Sequence, residues 1–196
     1  MRKIYFTLFL VSMFFLANPT SAQQHIQYKS VADSGKVFIT GTSTLHNWKE
    51  DLKKFECTAM VSITNQQINF KNILFTAFVE NLKSESSLMD NKTYKALKKD
   101  KYPKISFLSK GETSFKLKGE NFSSTIKGIL TVAGIKKMVM IQVTGNISHN
   151  LIKVRGVYTL KMSDYGIKPP TALFGTIKSG DTIEVHFHII LKITND

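Results

Sequence analysis

Several things are scarce in this chain, and each scarcity excludes a class of protein. There is one cysteine, Cys57, in 196 residues. It cannot close an intrachain disulfide, so the fold is no disulfide scaffold, and zinc sites built from two or more thiolates are excluded too. Arginine is nearly absent: only Arg2 and Arg155 join the lysines in a total of 27 basic residues. Nucleic-acid readers depend on the bidentate arginine fork. The formal charge of +13 is therefore no nucleic-acid signature. No serine elbow, phosphate-binding glycine loop, dinucleotide fingerprint or HExxH helix occurs, so no motif nominates an enzyme. Charged residues make up only 21% of a chain that is 42% hydrophobic, which excludes a disordered polymer.

The N-terminus reads as an address. Arg2 and Lys3 precede an apolar run from Ile4 to Leu16, broken only by Thr7 and Ser12. Asn18 and Pro19 end the run, and Thr20-Ser21-Ala22 supplies small residues for cleavage. This is the pattern of a secretory signal peptide over residues 1–22. A membrane-spanning helix needs about 20 apolar residues, more than this run holds. The expected product is residues 23–196, one domain, periplasmic or secreted. Most lysines read as a solvated surface. The local cluster Lys92, Lys95, Lys98, Lys99, Lys101 and Lys104 suits transient contact with an anionic membrane surface or head group.

The dominant signal in the rest is alternation with period two. Cys57, Ala59, Val61 and Ile63 share one face of a predicted strand over Phe55–Thr64. Predicted strands at Thr125–Ala133, Ile135–Thr144, Ile152–Ser163 and Thr182–Ile193 show the same pattern. Shorter candidates are Gln24–Val31, Lys36–Ser43, Lys104–Lys110 and Ser114–Lys118. Ile68–Leu82 is apolar on both faces in its middle and is expected to be covered on both sides. Only Ser86–Lys99 reads as helix, with Ser86 or Ser87 as cap, Asp90 in the first turn and Leu88, Met89, Thr93, Ala96 and Leu97 as inner stripe. The fold class is all-β: an antiparallel barrel or sandwich with one short helix.

Candidate chemistry is thin. His186 and His188 lie two apart on one strand, so both rings point the same way, and Glu184 joins them as an adventitious metal set. The alternation puts all three on the solvent face, so no functional metal is assigned. Cys57 falls on an apolar face and reads as a buried, unreactive thiol. Asp164 and Asp181 flank a loop and read as turn formers. The interior of a closed barrel of about eight strands either holds one small ligand or is filled by its own side chains.

Three segments resemble the YceI-like family of exported bacterial proteins. They are Gly41-Thr42-Ser43-Thr44-Leu45-His46-Asn47-Trp48; Ser87-Leu88-Met89-Asp90 through Lys92 and Ala96-Leu97-Lys98 to Tyr102-Pro103-Lys104-Ile105-Ser106-Phe107; and Lys161-Met162-Ser163-Asp164-Tyr165-Gly166-Ile167-Lys168-Pro169-Pro170 through Phe174-Gly175-Thr176-Ile177 to Gly180-Asp181. The resemblance implies a lipocalin-like antiparallel β-barrel with a helix near its mouth, binding a polyisoprenoid or quinone-like lipid. Asn47 departs from relatives that often carry Asp there, so no carboxylate role beside His46 carries over. The expected ligand-lining residues are Trp48, Phe75, Leu88, Met89, Leu97, Phe107, Leu130, Tyr158, Leu160 and Phe174. No catalytic residue, metal or cofactor is implied beyond a bound isoprenoid-type lipid. The competing readings are a self-filled interaction protein, with a homodimer as one form, and a lipid-acting enzyme using His46.

Overall fold

The computed structural model describes residues 24–32 and 34–194. The signal-peptide reading of residues 1–22 lies outside them. The strands are β1 (Ile26–Ser30), β2 (Lys36–Ser43), β3 (Trp48–Leu52), β4 (Glu56–Ile63), β5 (Gln67–Phe78), β6 (Leu82–Lys83), β7 (Lys104–Ser109), β8 (Thr113–Lys116), β9 (Asn121–Val132), β10 (Ile135–Ser148), β11 (Leu151–Lys161), β12 (Thr171–Ala172) and β13 (Ile177–Ile193). One α-helix, α1 (Ser87–Ala96), lies between β6 and β7. All pairings are antiparallel.

The order β1-β4-β5-β7-β9-β10-β11-β13 closes on itself through β13 and β1, giving an eight-strand barrel. Closure leaves each strand one inward and one outward face, which is why the sequence alternates. β13 is long enough to pair with β11 along one edge, and with β2 and then β1 along the other. β2, β3 and β6 continue the wall from β13 at one end. The β9–β10 hairpin turns through Ala133 and Gly134, both at positive φ, as a two-residue loop between right-twisted strands requires.

One end is sealed. Phe70, Phe115 and Phe122 meet there with ring centroids 5.3–5.8 Å apart, two of the three pairs edge to face. Ile68, Val61 and Ile152 close around them without solvent contact. The other end carries α1 and the Met162–Tyr165 turn.

The expectation that the stretch around Ile73–Val79 is covered on both faces is overturned. β5 contains a bulge: Asn72 adopts a positive φ, and the register with β4 shifts between Thr58 and Met60. The extra residue exchanges the faces. Ile68 and Phe70 point inward before it; Ile73, Phe75 and Ala77 point inward after it. Leu74 and Phe78 are exposed as a result. Leu74 begins an outward apolar row that runs through Leu108, Ile129 and Met138 across four strands.

The sealed end sets the stability. Replacing Phe115 by Ala empties the centre of the ring cluster and should cost about 3–5 kcal/mol in urea unfolding, whereas a comparable truncation of exposed Phe78 should cost far less.

Candidate ligand cavity

A cavity of about 430 Å³ runs between the open and sealed ends, within the range of roughly 300–1,000 Å³ that holds small ligands. Its wall is made by the inward residues of β2, β3, β4, β5, β7, β8, β9, β10, β11 and β13, and its mouth by α1 and the segments 43–48 and 170–172. An eight-strand barrel is wide enough either for its own side chains or for one small ligand. Here inner-face glycines make room. Gly41, Gly128, Gly145 and Gly156 are covered by the rings of Trp48, Phe107, Phe122 and Phe187, one to each. A Cβ on Gly156 would lie 2.5 Å from Phe187 and 2.6 Å from the Gln142 carbonyl oxygen. Rings that lie flat on the wall do not cross the lumen. The Trp48 Nε1–H donates to the Thr42 carbonyl at 2.9 Å, so the indole presents its apolar face with no unmet donor.

The mouth is polar where the wall is not. α1 has no side-chain cap at Ser86. Asp90 in its first turn instead accepts the Ser84 backbone N–H and hydroxyl, both at 2.7 Å, with the Lys83 ammonium 3.7 Å away. Burial would raise the Asp90 pKa, but these hydrogen bonds and the lysine charge outweigh it and hold the carboxyl below its ordinary range. Lys92 Nζ donates to the Thr171 carbonyl at 2.6 Å, tying α1 to β12. On the inner face of β3, between Trp48 and Leu52, stands Glu50. It is 2% exposed and accepts a hydrogen bond from the Thr93 hydroxyl of α1. Burial pushes its pKa up to about 7; the Thr93 bond opposes this and the Asp90 charge adds to it. Cys57 also lines the cavity, and burial lifts its thiol to about 12. It is an inert, apolar part of the wall.

The sequence profile of the YceI-like domain matches residues 22–191. The chain belongs to the YceI-like family. Its fold is shared with BcnA of Burkholderia cenocepacia (TM-score 0.63, 16% identity, covering 82% of this chain and 98% of that one). It is shared equally with a polyisoprenoid-binding domain from Saccharophagus degradans (TM-score 0.64, 10% identity, 86% and 99%). A YceI protein of Campylobacter jejuni aligns at TM-score 0.57 and 18% identity, over 76% and 86%. No curated protein matches the chain in sequence.

Nine of the ten expected residues face this YceI-like cavity: Trp48, Phe75, Leu88, Met89, Leu97, Phe107, Leu130, Tyr158 and Leu160. Phe174 does not. Leu173 and Phe174 both adopt positive φ, which turns the ring outward to full exposure. Glu50 also lines the cavity and was not among the expected residues. The signal was present: carrying the Trp48 alternation two residues further reaches Glu50 among apolar inward neighbours. His46 sits on the rim, with its Nδ1–H donating to the Asn47 carbonyl at 2.7 Å. Glu184, His186 and His188 face outward as expected but do not converge as a metal set. The His186 ring stacks on Phe38 at 4.6 Å, and its Nε2 lies 3.2 Å from both Thr40 Oγ1 and Glu184 Oε2. Among the described residues no group of three potential ligands gathers.

Glu50 gives the YceI-like barrel a pH signature. A carboxyl whose folded pKa exceeds its ordinary 4.5 binds a proton in the folded state that the unfolded chain has released. Its unfavourable contribution is absent below about 4.5 and complete above about 7, where it is on the order of 3 kcal/mol. Glu50→Gln should therefore raise the melting temperature relative to wild type by several degrees at pH 8. That gain should shrink as the pH falls to 4.5, and differential scanning fluorimetry across pH checks it.

Proposed function

We propose that this protein is an exported, non-catalytic carrier that holds one isoprenoid or quinone-like lipid in its barrel. The observation that carries this reading is the continuous apolar wall from the mouth to the sealed ring cluster. Each buried CH₂ contributes about 0.8 kcal/mol, so a long hydrocarbon gains affinity along its whole length with little polar recognition. A neutral thiol and flat aromatic rings offer such a chain contact without chemistry. The fold shared with a polyisoprenoid-binding domain supports the choice of guest. The signal-like residues 1–22 support delivery to the periplasm or the medium.

Native mass spectrometry of the protein purified from its host, followed by solvent extraction, tests the reading. A stoichiometric isoprenoid is the expected result. Leu160→Arg places a charge in the lipid path and should abolish the adduct while leaving the circular dichroism spectrum unchanged. An adduct that persists in the folded variant counts against the cavity as the binding site.

The mouth supports loading from a membrane. Leu45 and Leu88, on the rim, are each 66% exposed, and Leu173 and Phe174 stand out on the turn between β12 and β13. Lys92 and Lys95 on α1 and Lys178 on β13, which pairs with Thr171, add positive charge at this end. Apolar tips with cations at the same end suit an anionic bilayer. Leu173→Ser with Phe174→Ser should lower co-sedimentation with phosphatidylglycerol vesicles by at least roughly tenfold and leave the protein's thermal stability unchanged.

A further inference from the structure

Of the charged side chains that line the YceI-like cavity, Glu50 is the one that is buried. Glu50 lines it and pairs across the sheet with Ile39 on β2, which is in register with Val185 on β13 and, one strand further, Tyr158 on β11. Thr93 donates to Oε1; among the described residues nothing donates to Oε2. Among the described residues no cation forms an ion pair with the carboxyl. Lys92 is committed to the Thr171 carbonyl, and Lys83 lies against Asp90 and Tyr94. The Asp90 carboxylate nearby adds negative potential. A buried carboxyl with an oxygen open to an oily lumen costs free energy unless something hydrogen-bonds to it. The α1 tether needs only Oε1.

We infer that the missing partner belongs to the ligand: Glu50, oriented by Thr93, anchors the uncharged hydroxyl end of the bound lipid, and the site rejects a phosphorylated head. A hydroxyl both donates to a carboxylate and accepts from a carboxylic acid, so it satisfies Glu50 in either protonation state. A diphosphate would bring like charge against Glu50 and Asp90. From Val185, in register with Glu50 through Ile39, to Leu191 at the sealed end, the wall rises about 20 Å along the strand, or about 15 Å along the axis at the usual tilt. A head held at Glu50 leaves that depth for the chain. This inference rests on the lipid-binding reading and specifies which head the lipid carries.

Trp48 is the only tryptophan and shares the inner face of β3 with Glu50. Its emission reports occupancy during titration with three probes of one chain: farnesol, farnesyl diphosphate and the hydrocarbon farnesene. In the wild type, farnesol should bind more tightly than the diphosphate. Glu50→Leu should lower the farnesol-to-farnesene affinity ratio roughly tenfold, the value of one buried hydrogen bond. Glu50→Gln keeps the size and the Thr93 bond; it should retain farnesol and narrow the gap to the diphosphate. That second comparison decides the matter if Glu50→Leu fails to fold. An unchanged farnesol-to-farnesene ratio in folded Glu50→Leu, or an unchanged diphosphate gap in Glu50→Gln, overturns the anchor and leaves the carrier reading standing. A wild type that binds none of the three overturns both.

Discussion

The structure hangs on the closure made by β13. One strand of seventeen residues bonds β11 along one edge, and β2 and then β1 along the other. Without that double pairing the sheet would have two open edges and a face in water. With it, every strand acquires an inside, and the period-two pattern becomes obligatory. A one-residue slip anywhere in the ring would turn a row of Ile, Val and Phe to solvent. The bulge at Asn72 is such a slip, confined and put to use. It lets β5 meet β8 and the sealed end with one parity, and β7 with the other.

Closure explains the barrel; the glycines explain why the barrel is hollow. Four inner-face positions carry no side chain, and at each a large ring from the neighbouring strand lies over the bare backbone. Aromatic cover of this kind recovers the packing that a strand glycine forfeits. It also moves the bulk of Trp48, Phe107 and Phe187 from the axis to the wall. At the sealed end, Phe122 over Gly145 belongs to the cluster that stops the lumen. The same device therefore widens the cavity along its length and floors it at one end.

Much of this was legible in the sequence, because a half-buried strand writes its burial directly into alternate residues. Thr182–Ile193 and Lys36–Ser43 read cleanly for that reason. The Ile68–Leu82 stretch misled because a bulge is a backbone event with a weak signature: Asn72 tolerates positive φ, yet nothing near it fixes where the parity changes. The helix was found, but its cap was not. Ser84 and Asp90 satisfy each other across six residues, a contact that spacing rules for the first turn do not describe. Glu50 was obscured by chemistry, since a charged residue in an alternating segment is ordinarily assigned to water. Phe174 was misplaced in the opposite sense, an aromatic assumed to seek the interior although its turn holds it out.

The two ends of the cavity are held by different physics. At the sealed end, stability comes from area: rings and aliphatic chains fully withdrawn from water. At the mouth, α1 buries little, with Leu88 exposed and Asp90 its one buried member. It is fixed by the Thr93–Glu50, Asp90–Ser84 and Lys92–Thr171 hydrogen bonds. Hydrogen bonds of this kind are exchanged for water at small net cost, whereas buried area is not. The ties at the mouth are thus weaker than the packing of the floor. One of those bonds ends on Glu50, so the group that faces the lumen is also a latch for the helix that covers it. A hydroxyl bound at Oε2 leaves that latch on Oε1 in place.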